Sequence, residues 1–171
     1  MKNTTRLFLF LPVIITGIFL SAGCSKDEDE PGSFYMRFDA NGNKVEYVNQ
    51  LGLTAGFAQN ENMYVGTISG WNDASSSMGL LLYDSEPIKE GTMSGYKVSD
   101  GAVVGVLLAY REKETGIVFS SGASIDFDGT VTITEMNDNI VKGTFHGKVV
   151  ATGQQDILIT DGSFQVKRVL N

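Results

Sequence analysis

Short apolar runs in which every second residue is hydrophobic recur along most of this chain, and turn-forming residues separate them. In the run FYMRF, Phe34, Met36 and Phe38 alternate with Tyr35 and Arg37. Successive side chains of a strand point to opposite faces of a sheet, so this alternation predicts strands with one buried face. No run shows the 3.6-residue apolar period of a helix, and the 20 glycines also disfavour long helices.

An Asn-Gly pair marks the first turn between two such runs. Asn41 and Gly42 separate FYMRF from VEYV, and both residue types tolerate the positive φ of a two-residue hairpin turn. Residues 34–171 are therefore expected to form one all-β domain with little helix, a single antiparallel β-sandwich or flattened barrel of about eight to ten strands. Further runs bounded by turn residues begin at Met63, Met78, Val103, Gly116, Thr130, Ile140 and Gly162.

The alternation also predicts which side chains are buried in the last run, GSFQVKRV. Phe164 and Val166 fall on one face and are expected to point into the core. Gln165 and Lys167 fall on the other face and are expected to point outward.

A basic head and a short apolar run open the chain. Lys2 and Arg6 precede the 14 residues Leu7–Leu20, which Pro12 interrupts. A membrane-spanning helix needs about 20 apolar residues, whereas the apolar region of a secretory signal takes about 7 to 15. The length therefore predicts that residues 1–23 are a signal peptide.

The end of that segment reads LSAGC, and Cys24 is the only cysteine of the chain. This stretch resembles the lipobox of bacterial lipoproteins. The resemblance implies cleavage before Cys24, acylation of its sulfur and of the new amine, and attachment to a membrane through the N-terminal lipid. Several acyl chains give firm anchoring, because one chain alone binds only marginally. An ordinary signal peptide with an incidental cysteine, or an uncleaved anchor, remains the alternative.

A run of charge follows the cysteine. Lys26 precedes the carboxylates Asp27, Glu28, Asp29 and Glu30, and PGS comes next, so residues 24–33 are expected to be a flexible tether. The run resembles the export signal of surface-exposed lipoproteins of the Bacteroidota, which implies the outer membrane and an outward-facing domain. A plain acidic spacer is the alternative.

The charge of the chain argues against nucleic acid as a partner. The net charge is −7, and cleavage after residue 23 removes Lys2 and Arg6, which leaves 11 basic against 20 acidic residues and a net charge of −9. Binding to nucleic acid requires lysines and arginines that neutralise phosphates, and no basic cluster occurs in the sequence.

The C-terminal half carries a second resemblance. FDGTVTITEMNDNIVKGTFHGKVV and ITDGSFQVKRV, within residues 127–169, resemble a family of small Bacteroidota lipoproteins of unknown function. IKEGTMSGY, residues 88–96, resembles a similar element of that family, although Met93 replaces its aromatic residue. The resemblance implies an all-β fold and an envelope location, and it brings no catalytic residues.

Few residues offer catalytic or metal chemistry. His146 is the only histidine, so neither a Ser-His-Asp triad nor a histidine-rich zinc site can easily be built, and an exposed strand residue is expected. Residues 126–129 and 137–139 contain calcium-type ligands, but their spacing matches no EF-hand, and such residues also favour turns. We expect no metal and no cofactor.

Two carboxylate pairs keep an enzymatic alternative open. Glu112 with Glu114, and Asp84 with Glu86, are two residues apart and would share a face of a strand. Such pairs could act in glycoside hydrolysis, although the sequence REKETG is more typical of a solvated hairpin end.

The only tryptophan suggests a ligand site. Trp71 lies in SGWNDASSSMG, where the following Asn72 and Asp73 favour a turn. A sugar ring would stack on Trp71 and hydrogen-bond to Asn72 and Asp73. The alternative is that Trp71 belongs to the core.

The sequence thus leaves three classes of function open. The favoured one is a non-enzymatic lipoprotein of the envelope, exposed at the surface, that binds a glycan or a protein partner. The second is a hydrolase of envelope or dietary glycans, and the third is a structural subunit of an envelope or pilus assembly that pairs through an edge strand.

Overall fold

A computed structural model describes residues 33–99, 102–123 and 128–170 of the chain. These residues form twelve strands and one short 3₁₀ turn at Ser121–Ala123. All of them belong to one compact unit. The strands are β1 Tyr35–Ala40, β2 Asn43–Tyr47, β3 Thr54–Asn60, β4 Met63–Asp73, β5 Ser76–Asp84, β6 Gly91–Ser94, β7 Tyr96–Ser99, β8 Ala102–Arg111, β9 Val118–Ser120, β10 Gly129–Met136, β11 Ile140–Val149 and β12 Ile157–Val169.

The strands form one mixed sheet that bends into a sandwich-like fold. Its main path runs β6-β10-β11-β12-β3-β4-β5-β8-β7, with β1 and β2 branching from β12 and with β9 attached to β8. Among the pairings of the described strands, only that of β12 with β3 is parallel.

Strand β12 divides the sheet into two branches. One edge of this 13-residue strand pairs with β11. The other edge pairs with β1 between Ile159 and Gln165 and then with β3 from Lys167 to Val169. Strands β1 and β2 therefore diverge from β3 and β4 at one point of β12.

The strands at the two ends of the main path, β6 and β7, are consecutive in the chain, and Gly95 joins them. The Gly95 amide donates to the carbonyl oxygen of Gly129 at 2.9 Å, and the Gly95 carbonyl accepts from the amide of Val106 at 2.6 Å. Gly95 has a φ of 67°, a conformation that glycine adopts without steric cost. The sheet is thereby curled back on itself without being a closed barrel.

Aromatic rings fill the space between the facing parts of the sheet. The Phe38 ring of β1 lies 6.0 Å from Tyr47, 5.4 Å from Tyr110 and 5.7 Å from Phe145, measured between ring centroids. These four residues are at most 4% exposed. They connect β1 and β2 with β8 and β11, so the branch formed by β1 and β2 is fixed to the rest of the core.

The predicted fold class is confirmed, and the differences lie in the detail. Asn41 and Gly42 form the expected hairpin turn with φ values of 50° and 84°. Twelve strands occur rather than eight to ten because several are only three to five residues long. The parallel pairing of β3 with β12 was not predicted.

The predicted outward position of Gln165 is wrong. Gln165 is 8% exposed, and its side-chain amide donates to the Ser33 carbonyl at 3.0 Å. The chain that leads into β1 covers this face of β12, and a satisfied amide can be buried at modest cost. Phe164 and Val166 are buried as expected.

Substitution of a glycine in the sheet tests how closely the neighbouring strands pack. A Cβ atom added to Gly143 of β11 would lie 2.1 Å from the Thr132 carbonyl oxygen and 2.7 Å from the Phe164 ring. We expect Gly143→Ala to destabilise the protein by about 1–3 kcal/mol, because the strand backbone cannot easily move away. Urea unfolding of the purified domain measures this loss.

Gly56→Ala is the matched control for Gly143→Ala. Gly56 also lies within a strand, β3, and a Cβ atom there meets no atom within 4 Å. Equal unfolding midpoints for the two variants would contradict the described packing of β10 against β11.

Candidate functional site

An open cleft lies beside β2, between that strand and two hairpin turns. We define the cleft by residues 43–47 of β2, Asn72, Asp73 and Ser76 at the β4–β5 turn, and Tyr110 with residues 112–114 at the end of β8. Its volume is about 500 Å³. Ala40, Asn41 and Ile157 also line it.

Three hydroxyl groups form the floor of the cleft. The Tyr47 hydroxyl and the Ser76 hydroxyl are 2.7 Å apart and hydrogen-bonded, and Tyr110 lines the cleft together with them. Burial raises the pKa of Tyr47 and of Tyr110 above the ordinary tyrosine value. The hydroxyls therefore stay protonated at neutral pH and can donate hydrogen bonds.

Carboxylates line the rim of the cleft, and two of them are held by the turns in which they lie. Asp73 accepts hydrogen bonds from the amide of Ser75 at 2.8 Å and from the Ser75 hydroxyl. These bonds lower the pKa of Asp73 below its ordinary value. Glu112 accepts from the Thr115 hydroxyl at 2.7 Å, and Glu114 is exposed. The rim is therefore acidic, with Lys113 as a nearby counter-charge.

Asn72 connects the end of β4 with the edge of β2. Its side-chain oxygen accepts from the amides of Val48 at 2.9 Å and Asn49 at 3.2 Å. Its side-chain nitrogen donates to the Glu46 carbonyl at 2.9 Å. The side chain predicted to contact a ligand is thus engaged in bonds within the protein.

The sequence suggested that Trp71 lies at a turn, but the structure places it in strand β4, opposite Ser77. The side chain is 38% exposed and points to the outer face of the sheet, and the bond shared by its two rings lies close to Gly52. It borders a depression of about 310 Å³ that it shares with Arg111 and Val118. Trp71 lines a different surface from Asn72 and Asp73. Asn72 follows Trp71 on the opposite face of the strand, and the register shift between Trp71 and Asp73 interrupts the alternation that would otherwise put Asp73 on the face of Trp71.

The structure gives structural roles to most of the other candidate residues that it describes. His146 is exposed on β11, as expected. The Asp84 side chain accepts from the amide of Glu86 at 3.1 Å, and the Asn137 side chain accepts from the amides of Asn139 and Ile140. Both sites are turns, and no group of three or more metal-ligating residues occurs in the described ranges.

The proposed lipidation and export residues lie outside the described residues. These are Cys24, Lys26, Asp27, Glu28, Asp29 and Glu30, and Asp126 of the calcium candidate also lies outside them. Within the described ranges, no helix has the length and apolar character needed to cross a membrane.

Sequence reasoning missed the floor of the cleft. Tyr47, Ser76 and Tyr110 come from β2, β5 and β8, and each occupies an inward position of an alternating run. Alternation alone places such residues in the core. An indication was available in their hydroxyl groups, because buried tyrosine hydroxyls usually need a partner.

No protein-family model, curated protein sequence or solved structure matches this chain.

The hydroxyl floor gives a prediction for alkaline pH. The folded state holds the phenolic protons of Tyr47 and Tyr110 more tightly than the unfolded state does. Their contribution to stability is complete below the unfolded pKa of about 10 and is lost as the pH rises above it. We expect the free energy of unfolding to fall between about pH 9 and 11, and to fall less steeply in Tyr47→Phe.

Urea unfolding over this pH range, with tyrosinate absorbance as a second signal, measures the effect. Tyr64→Phe is the control, since Tyr64 lies on β4 outside the cleft. A Tyr47→Phe variant whose pH dependence equals that of the wild type would contradict the assigned role of Tyr47.

Proposed function

We propose that this protein is a lipid-anchored lipoprotein of the outer membrane that faces the cell exterior and acts as a non-enzymatic binding module. In this proposal Cys24 carries the lipid, and Lys26, Asp27, Glu28, Asp29 and Glu30 direct export. The partner, a protein or a glycan, is held in the cleft beside β2.

The observation that carries the binding role is the fixed polar lining of the cleft. The hydroxyls of Tyr47 and Ser76 bond to each other, and Asp73 and Glu112 are held by their own turns. Polar groups that are already in place lose little conformational freedom when a partner binds. The cleft volume of about 500 Å³ lies within the range of ligand sites, about 300–1,000 Å³.

The carboxylates of the rim supply the enzymatic alternative. Glu112 and Glu114 both line the cleft, as a pair for glycoside hydrolysis would have to. However, Glu112 is bonded to Thr115 and Glu114 is exposed, so neither lies in the apolar surroundings that keep a general acid protonated. We therefore place binding before hydrolysis.

The anchor and the tether are tested together in cells. Cys24→Ala should abolish labelling by a palmitate analogue and leave the precursor uncut or the product soluble, because no other thiol is present. Replacing Asp27, Glu28, Asp29 and Glu30 with their amides should keep the label but trap the protein on the periplasmic side.

Protease treatment of intact cells reads out the position of the domain. The wild type should be digested and the tether variant protected. Labelling of the Cys24→Ala variant would refute the anchor, and equal digestion of the tether variant and the wild type would reduce residues 26–30 to a spacer.

Trp71 supports glycan binding on the outer face as a second candidate site. Its partly exposed ring lies beside Arg111, a hydrogen-bond donor, above a floor that includes Gly79 and Ala109. A sugar ring could approach this small-residue floor closely while its C–H face stacks on the indole.

Trp71→Ala should remove retention on a glycan array while lowering stability by less than about 1.5 kcal/mol, since the side chain is only partly buried. Leu158→Ala, which shortens a 51% exposed side chain on β12, is the control. A loss of about 3–5 kcal/mol would assign Trp71 to the core. Unchanged retention would exclude Trp71 from a glycan site.

A further inference from the structure

The free edge of β2 is the feature that the proposed function does not yet use. Among the described strands, β2 pairs with β1 only, and the Asn41-Gly42 turn fixes the register at Ala40 opposite Asn43. In a two-residue hairpin the residues next to the turn exchange backbone hydrogen bonds, and the pattern then alternates. Lys44 and Glu46 therefore direct their backbone N–H and C=O groups away from β1.

Asn72 already occupies the last part of this edge. Its amide donates to the Glu46 carbonyl and accepts from the Val48 N–H. These are the two bonds that one residue of a neighbouring parallel strand would make with this edge. A polar side chain thus replaces a strand at one end of β2, which shows that the edge is oriented to accept one.

Three backbone groups remain beyond Asn72. They are the N–H and the C=O of Lys44 and the N–H of Glu46, and among the described residues no backbone partner lies on this side of β2. Lys44 is exposed, and its neighbours on both sides line the cleft. The next residues of a strand that continued from the position of Asn72 would meet these groups.

The walls of the cleft limit what can reach the edge. The β4–β5 turn with Asp73 and the turn with residues 112–114 line the same cleft as β2. A single extended chain needs the least room beside β2, because strands pair about 4.8 Å apart. A folded sheet edge of a second domain would bring further strands and loops into the same cleft of about 500 Å³.

The charge of the lining adds a preference. Glu46, Asp73, Glu112 and Glu114 outnumber Lys44 and Lys113. Glu46 is already paired with Arg37 at 2.6 Å, whereas the exposed Glu114 makes no hydrogen bond to another described side chain. An incoming lysine or arginine would therefore find an unpaired carboxylate at the rim.

We propose that the cleft binds an extended segment of a partner protein, which adds as a strand to β2 at Lys44 and Glu46 and presents a basic side chain to Glu114. This inference rests on the proposed function and names its partner as a peptide. Main-chain bonds to β2 supply the pairing, and the acidic rim supplies the selectivity, as in other complexes formed by strand addition.

Lys44→Pro tests the pairing directly. Proline removes the free N–H of Lys44 and places its ring on the edge, while the bonds of Asn43 and Val45 to β1 stay intact. Lys44→Ala removes the charge and keeps the N–H, so it is the matched control.

The probe is a random peptide library displayed on phage and selected on the lipid-free wild-type domain, with the bare support as the counter-selection. We expect enriched peptides that contain lysine or arginine and lack proline at the central positions. The synthetic peptides should bind Lys44→Pro roughly tenfold or more weakly, and Lys44→Ala within about threefold of the wild type. Glu114→Gln should weaken the basic peptides by a few-fold.

Asn43→Trp distinguishes binding in the cleft from strand addition to β2. A bulky ring at position 43 should fill the cleft, and the Asn43 side chain makes no hydrogen bond within the described ranges. Peptides or array glycans lost in Asn43→Trp but retained in Lys44→Pro would uphold the cleft as a binding site and overturn strand addition. Selection of no peptide or glycan that depends on the cleft would overturn both. A dimer that Lys44→Pro converts to a monomer would assign the edge to a second copy of the chain and overturn the peptide.

Discussion

One edge of strand β12 pairs with two different strands in succession, and the branching of the sheet follows from this constraint. Its second edge changes partner from β1 to β3 between Gln165 and Lys167. The branch of β1 and β2 must therefore leave the branch of β3 and β4, and the side chains of Met36 and Tyr47 pack next to Gly70 of β4. β2 ends its branch, so one of its edges has no neighbour among the described strands, and β2 becomes a wall of the cleft.

The core and the cleft are continuous through Tyr47 and Tyr110. Both rings pack on Phe38, the Tyr47 hydroxyl bonds to Ser76, and Tyr47 and Tyr110 both line the cleft. An amphipathic tyrosine suits this position, because its ring stabilises the core and its hydroxyl is satisfied by a partner. The floor cannot rearrange without disturbing the aromatic cluster. We infer that the cleft presents the same surface with or without a partner.

The sequence was informative where one local rule determines the structure. The alternation in FYMRF and the Asn41-Gly42 turn predicted the hairpin that β1 and β2 form, and the structure confirms it. The sequence was uninformative where the structure depends on contacts between segments that are distant in the chain. Pairing of β3 with the end of β12, burial of Gln165 under Ser33, and the bonds from Asn72 to β2 depend on tertiary neighbours that no local pattern encodes. The cleft floor falls in this second class, because its three hydroxyls come from three strands.

An unpaired strand edge is normally a risk, because it can pair with the edge of another molecule. β2 carries several features that reduce this risk, since it is five residues long, bears Lys44 and Glu46, and is blocked by Asn72 at one end. A second side chain that covered the backbone of Lys44 would protect this edge from pairing equally well. Instead this part of the edge opens into a cleft whose rim is acidic. The proposed strand addition would use this opening, because a single extended chain needs less room beside β2 than the edge of a folded sheet does.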